Sequence, residues 1–549
     1  NKLTKLFKSR KIMKRLLCIF LLSAVSSSIF AQSYYINPQL GKDTNNGKSP
    51  NAAYKSLSQV QKIKLEPGDR LLLAAGINHW GELKLHNLAG TKTKPIIVSS
   101  YQANEINNDK IIPSHATINA RGFYNGISIV NSKHVHVSNL NVTAPEGFIY
   151  DWVKKQRNKK SKEMRIAVKL EASKKDTFSG IELDNIIVNN VYFNKVGLKR
   201  SIKETHTANG TESYSWGIRA FAKKGGKFDN LVIQNSSVSN VSHTGIKLNG
   251  KKGSINNVTL SNNKVFDIGG PGMQMSGGLN VYVYGNIVKN SGSTKDSRNW
   301  GRGSGMWTWG SSHVLVEYNK FLNANGPADS AGFHIDFNCD NIIIQYNISA
   351  NNAGGFIEIL GNNFNNAYRY NVSINDGYRV KGDTNRPYGK ATHDGKTLWL
   401  SGFVGMKGRK VNPNIAPVNN YIYNNTVYVE HVAQLAAHQD TNGVVIANNI
   451  FYFKKGSYYL PQKRYQLVND KNPSKNLNMT NNLFLTDKDW PVVGVMENNN
   501  VIIGDPLFVK GGGNTIDDYL PNNYHLIANK GIEIMPLPNS KGLEGNNRS

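Results

Sequence analysis

Cysteine is almost missing from these 549 residues: Cys18 and Cys339 are the only two. Cys18 lies inside an apolar run near the N-terminus, which leaves Cys339 alone in the rest of the chain. A disulfide framework and a thiolate metal cluster are both excluded. Charged residues are also scarce at 19%, and acids are the scarcer sign, with 37 Asp and Glu against 66 Lys and Arg. A charge-rich disordered chain is not compatible with that balance. No apolar run reaches the roughly 20 residues of a membrane span. What is present in quantity is glycine, 51 residues of it, together with many asparagines. Both accept left-handed backbone conformations, so the composition suits many short strands separated by tight turns.

Lys14 and Arg15 precede an apolar stretch from Leu16 to Ile29, and Phe30-Ala31-Gln32 follows. This reads as a secretory leader starting at Met13 and cleaved after Ala31. The expected mature chain is soluble and secreted, either periplasmic or extracellular. Residues 1–31 hold seven basic residues and no acid, which leaves +22 of the formal +29 charge. A charge of that size favours a polyanionic partner. For an exported protein the expected partner is an acidic or sulfated glycan, with no nucleic acid and no membrane. A basic, solvated surface without a specific partner is the alternative.

From about Gly180 the chain returns to one pattern: a Gly-led alternating strand, a turn, then a second strand ending in Asn. The second strands include Val258-Thr-Leu-Ser-Asn262, Val281-Tyr-Val-Tyr-Gly-Asn286, Val314-Leu-Val-Glu-Tyr-Asn319 and Ile342-Ile-Ile-Gln-Tyr-Asn347. Several intervals between terminal asparagines are 24 to 28 residues, the size of one solenoid coil. One coil cannot bury its apolar face alone, whereas its neighbours above and below supply a continuous core. Val258, Val281 and Val314 are expected inside, and the asparagines are expected to stack as an amide ladder. The fold class is all-β, a right-handed parallel β-helix with a short N-terminal helical cap over residues 51–64 and an irregular C-terminal tail. The expected organisation is a leader over 1–31, a cap and first coils over 32–118, the helix over 119–510 and a tail over 511–549. Basic loop insertions are expected near 144–176 and 377–417.

In register, the Gly-led strands expose a column of chemistry. They read Gly217-Ile-Arg-Ala-Phe221, Gly245-Ile-Lys-Leu-Asn249, Gly272-Met-Gln-Met-Ser276, Gly305-Met-Trp-Thr-Trp309, Gly332-Phe-His-Ile-Asp336 and Gly354-Gly-Phe-Ile-Glu358. The second residue after each Gly is expected to face outward: Arg219, Lys247, Gln274, Trp307, His334 and Phe356. Two residues on come Trp309, Asp336 and Glu358. One face is thus basic at one end, aromatic in the middle and acidic at the other. Asp336 and Glu358, 22 residues apart, take equivalent places on consecutive coils, ~4.8 Å apart. Carboxylates that close push one pKa up, giving an acid and a base for glycoside hydrolysis. His334 is placed to orient a carboxylate or move a proton. Asp336, Glu358 and His334 are the candidate catalytic residues; Arg219, Lys247, Gln274, Trp307 and Trp309 are the candidate substrate-binding residues. A structural or calcium-binding carboxylate cluster and tryptophans buried under a loop are the competing readings. Neither His243, His393 and Asp394 nor His438 and Asp440 has metal-ligand spacing. No cofactor is expected, and calcium is not indicated.

The entry Tyr34-Tyr-Ile-Asn-Pro38 with Gly41-Lys-Asp-Thr-Asn-Asn-Gly47, and the later Leu65-Glu-Pro-Gly-Asp69, resemble the start of bacterial right-handed parallel β-helix enzymes that act on polysaccharides. Residues 332–358 resemble the carbohydrate-active core of the same group. The resemblance implies a glycoside hydrolase, or a polysaccharide lyase acting on a uronate-containing glycan with His334 as base. A glycan-binding protein without turnover is the third reading.

Overall fold

Val258, Val281 and Val314 are completely shielded from solvent and stand in register on successive parallel strands. Between them Thr259, Tyr282 and Leu315 point the other way in the same register, the period-two alternation of a strand. Each such buried aliphatic side chain contributes about 1.5–3 kcal/mol relative to exposure. Repeated coil after coil, that burial builds one core running along the molecule.

The computed structural model describes residues 31–102, 115–144, 164–191, 215–292, 303–385, 390–405, 415–438, 440–459, 477–487 and 497–534. Among them the strands form two assemblies, one of 27 strands that bends around the coils and one of 12. Neighbouring strands pair in parallel in both. The fold is the expected parallel β-helix. Residues 1–30, the bulk of the segment read as a leader, and the lysine-rich stretch from Lys154 to Lys162 lie outside the described residues.

Asparagine does two jobs in the coils, one residue apart; the first is shared with Gly285, Tyr318, Tyr346 and Tyr370. Asn235, Asn262, Asn424, Asn448 and Asn481 have left-handed backbones, with φ between 50° and 56°. The residue after the left-handed position is the ladder residue. Asn263, Asn286, Asn319, Asn347, Asn371, Asn425, Asn449 and Asn482 are buried, and each Nδ2 donates to the next Oδ1 at 2.9–3.0 Å wherever the two are consecutive. Asn319 shows the full pattern, donating to the carbonyl of Val283 and to Asn347 Oδ1, each at 3.0 Å. These amides are architecture, because a buried polar group left unmatched would cost about 1–3 kcal/mol.

Where a helical cap is expected, two 3₁₀ turns span Pro50–Ala52 and Leu57–Lys62 and bury Leu57 and Val60. Both spans read as insertions contain a strand of the 12-stranded sheet. Ile166–Ala172 falls within 144–176, and Lys396–Leu400 falls within 377–417. Each alternates inward and outward residues, so the coil continues through it.

Candidate active site

The 12-stranded sheet carries the column of outward residues. Its Cα register aligns Lys169 with Arg219, Arg219 with Lys247, Lys247 with Gln274, Gln274 with Trp307, and Trp307 with His334. This part matches the alignment of the Gly-led strands.

The next coil does not. Ile335 pairs with Ile359, so Glu358 lies across from His334 and is two residues out of step with Asp336. Asp336 and Glu358 therefore do not occupy equivalent positions. The cause is local. Gly354 and Gly355 do not continue the glycine column that runs from Gly217 to Gly332. A Cβ on Gly354 would come within 2.0 Å of the Asp329 carbonyl oxygen, and one on Gly355 within 2.0 Å of the Lys396 carbonyl oxygen. Gly355 also has φ of +134°. The doublet serves a close passage of three chain segments, and the strand starts at its second glycine. Phe356 consequently takes the corner place that glycine holds elsewhere. It is not outward: it is fully buried in the core and packs edge-on against Tyr368, ring centroids 5.5 Å apart. A slip of two preserves the face, so Glu358 remains outward.

The slip extends the column past His334 to Glu358 and then to Trp399. His334 and Glu358 are 4% and 7% exposed, and Asp336 is 8% exposed. The ring of His334 lies parallel to Trp307, 8° between planes and 6.0 Å between centroids. Its Nε2 is 3.9 Å from Asp336 Oδ2, an ion-pair contact rather than a direct hydrogen bond. Asp336 is anchored by its backbone N–H to the Thr308 carbonyl at 3.0 Å, and its Oδ1 accepts the N–H of Phe337 at 2.7 Å.

The charges around His334 act on one another. Burial pushes the Glu358 carboxyl up to about 7; His334 and Lys396 pull it down, and Asp329 and Asp336 push it further up. Burial opposes protonation of His334, but Glu358, then Asp336 and Asp329, outweigh it and raise the imidazole above its ordinary value. Burial brings Lys396 down to about 8 against the pull of Glu358. Glu358, at about 7, can thus hold or release a proton near neutrality, the condition acid–base catalysis requires.

Three participants are missing from the candidates read in the sequence. Lys396 is buried, with Nζ 3.9 Å from the centre of the Trp399 ring and 3.1 Å from the Asp394 carbonyl. Trp399, half-buried, stands opposite Glu358. The signal was available, since Gly395-Lys-Thr-Leu-Trp-Leu400 is one more Gly-led alternating strand. Asp329 lies in the turn before the Phe333–Ile335 strand, with Asp329 and Ser330 both left-handed at φ of 46° and 70°. Strained non-glycine backbone of that kind clusters at functional sites.

The candidate binding residues separate by environment. Trp307 is 3% exposed, buried as the competing reading expects, whereas Trp309 is half-buried with its ring edge against Gly405 and Phe337. Lys247 and Gln274 are buried as well. Arg219 lies 4.0 Å over the Trp216 ring, and Glu171 pairs with Lys169 and Lys223 at 3.1 and 3.0 Å. Among the described residues, no three His, Cys, Asp or Glu side chains are grouped to hold a metal ion, and no helix is long and apolar enough to cross a membrane.

Comparison with known proteins agrees with this architecture. Residues 217–402, which hold most of the column, match the family described as Right handed beta helix region. Lacto-N-biosidase of Bifidobacterium longum subsp. longum is 26% identical in an alignment covering 76% of this chain and 28% of that protein. The chain thus spans a little over a quarter of the length of that curated relative. The crystal structure of GH136 lacto-N-biosidase from Eubacterium ramulus superposes with a TM-score of 0.54 at 19% identity, covering 81% of this chain and 68% of that one. Its selenomethionine derivative gives 0.53 at 17%, covering 86% and 67%. The chain is a right-handed parallel β-helix protein, the fold of those carbohydrate-active enzymes.

Proposed function

We propose that the chain is a glycoside hydrolase that cleaves an oligosaccharide on the 12-stranded face. The observation that carries this reading is the buried Glu358, held near 7, across from His334 and one coil from Asp336. At neutral pH such a carboxyl can hold its proton and give it to the departing glycosidic oxygen. Asp336 supplies the second carboxylate, as base or nucleophile towards the anomeric carbon, and water completes the cleavage. His334 acts through Asp336 and Glu358 and holds their charges in place. Asp329 is the third carboxylate around His334 and tunes the other groups. Trp309 and Trp399, half-buried on either side of the acidic residues, are suited to the faces of sugar rings.

The similar proteins named lacto-N-biosidase support hydrolysis of an oligosaccharide and suggest the first substrate to try. An acidic or sulfated substituent would lie along Lys169, Arg219 and Lys247, where Glu171 offsets only part of the positive charge. Export through the N-terminal leader is part of the same proposal. The test is turnover of a chromogenic lacto-N-bioside by the wild-type chain, Asp336→Asn and Glu358→Gln. Each variant should lose roughly 100-fold or more, the usual scale for a positioned acid or base. Full activity in either variant would remove that residue from the mechanism.

A further inference from the structure

Two buried polar atoms of the site column have no hydrogen-bond partner among the described residues: Oε1 of Gln274 and Nδ1 of His334. Both side chains are 4% exposed, so bulk solvent does not serve them. Both stand beside Trp307 in the register, Gln274 on the preceding strand and His334 on the following one. Buried polar groups in native proteins are matched almost without exception, and an unmatched one is destabilising. Packing does not call for a polar group at position 274. Its strand neighbours Met273 and Met275 supply the core contact, and Gln274 points to the opposite face. An unsatisfied acceptor kept beside a tryptophan and two coils short of His334 is a cost that a bound molecule can remove.

We propose that Gln274 is a specificity-determining residue, whose Oε1 accepts a hydrogen bond from a hydroxyl or amide N–H of a sugar residue bound on this part of the 12-stranded face. The proposal rests on the glycoside reading above and names what that site recognises. The ligand class is a sugar that offers a donor at this position; an analogue lacking the donor leaves the acceptor buried and unpaired, the arrangement that gives strong discrimination.

Gln274→Met keeps length and volume while deleting the amide, and two measurements on the full chain test it. Calorimetric titration with lacto-N-biose should show tenfold or greater loss of affinity in the variant. Thermal unfolding of the unliganded variant should occur at or above the wild-type temperature, because an unsatisfied group has been removed. Equal affinity in the two chains, no binding by the wild type, or a lower unfolding temperature in Gln274→Met would each overturn the proposal. The last would mark Gln274 as structural. Binding lost in Gln274→Met, in a wild-type chain that binds but does not turn over a lacto-N-bioside, would refute hydrolysis and leave this subsite standing.

Discussion

Glu358 stands directly across the sheet from His334, one coil away, while Asp336 lies just past the end of the His334 strand, two residues further on. The imidazole thus sits between two carboxyls that do not face each other. A proton on His334 favours ionisation of Glu358, and either carboxylate favours that proton.

This arrangement makes the pH profile adjustable in both directions. Lys396 lowers the Glu358 pKa and Asp329 raises it. If Glu358 must be protonated to act, activity falls as pH rises through about 7. Lys396→Met removes a cation, raises the Glu358 pKa and should move the alkaline limb to higher pH. Asp329→Asn removes an anion and should move it lower. Rate profiles of both variants between pH 5 and pH 10, on the same substrate, check the pair. Shifts in the same direction would show that Glu358 is not the titrating acid.

The two-residue slip before Glu358 has a consequence for stability. Phe356 takes the register place that a closely hemmed-in glycine holds in five preceding coils, and it packs on Tyr368. Phe356→Ala should cost roughly 3–5 kcal/mol, the range for deleting a buried aromatic ring. Urea unfolding measures it directly. A change within about 0.5 kcal/mol, typical of surface positions, would place Phe356 outside the core.

Asp376 closes a short branch of the amide ladder. Its Oδ1 accepts the backbone N–H and Nδ2 of Asn352 at 2.9 and 2.8 Å, and its Oδ2 accepts the hydroxyl of Ser373 at 2.7 Å. Burial outweighs these donors and pushes its carboxyl from 3.8 up to about 7. The folded state therefore holds this proton more tightly than the unfolded state. The contribution is present in full below pH 4 and is lost as pH rises to about 7. Asp376→Asn keeps an acceptor for Asn352 and gives Ser373 a donor, with nothing to ionise. Its unfolding temperature should match the wild type near pH 4 and exceed it increasingly up to pH 7, levelling above. A constant difference across that range would contradict the buried proton.

The solenoid was legible because its signals are periodic. Alternation separates Val281 from Tyr282, and Gly-led strands align Arg219 with His334 through four intervening pairings. The acidic end was less legible because Gly354-Gly355 imitates the start of a strand while serving a close chain passage. The error was even in number, so the face of Glu358 survived while its partner changed from Asp336 to His334. Lys396 and Trp399 were hidden by distance: a long spacer reads as an insertion although it contains a regular strand. In the asparagine columns, sequence alone does not separate Asn262, which turns the chain, from Asn263, which bonds the next coil.

Hydrolysis at the carboxylates around His334 is best tested by the chemistry of its product. The wild-type chain, incubated with a lacto-N-bioside in water enriched in heavy oxygen, should place one labelled oxygen at the new reducing end, read by mass spectrometry. Asp336→Asn and Glu358→Gln should form little of that product. An unlabelled or unsaturated sugar end, or equal label incorporation by the two variants, would contradict a hydrolase built on these carboxylates.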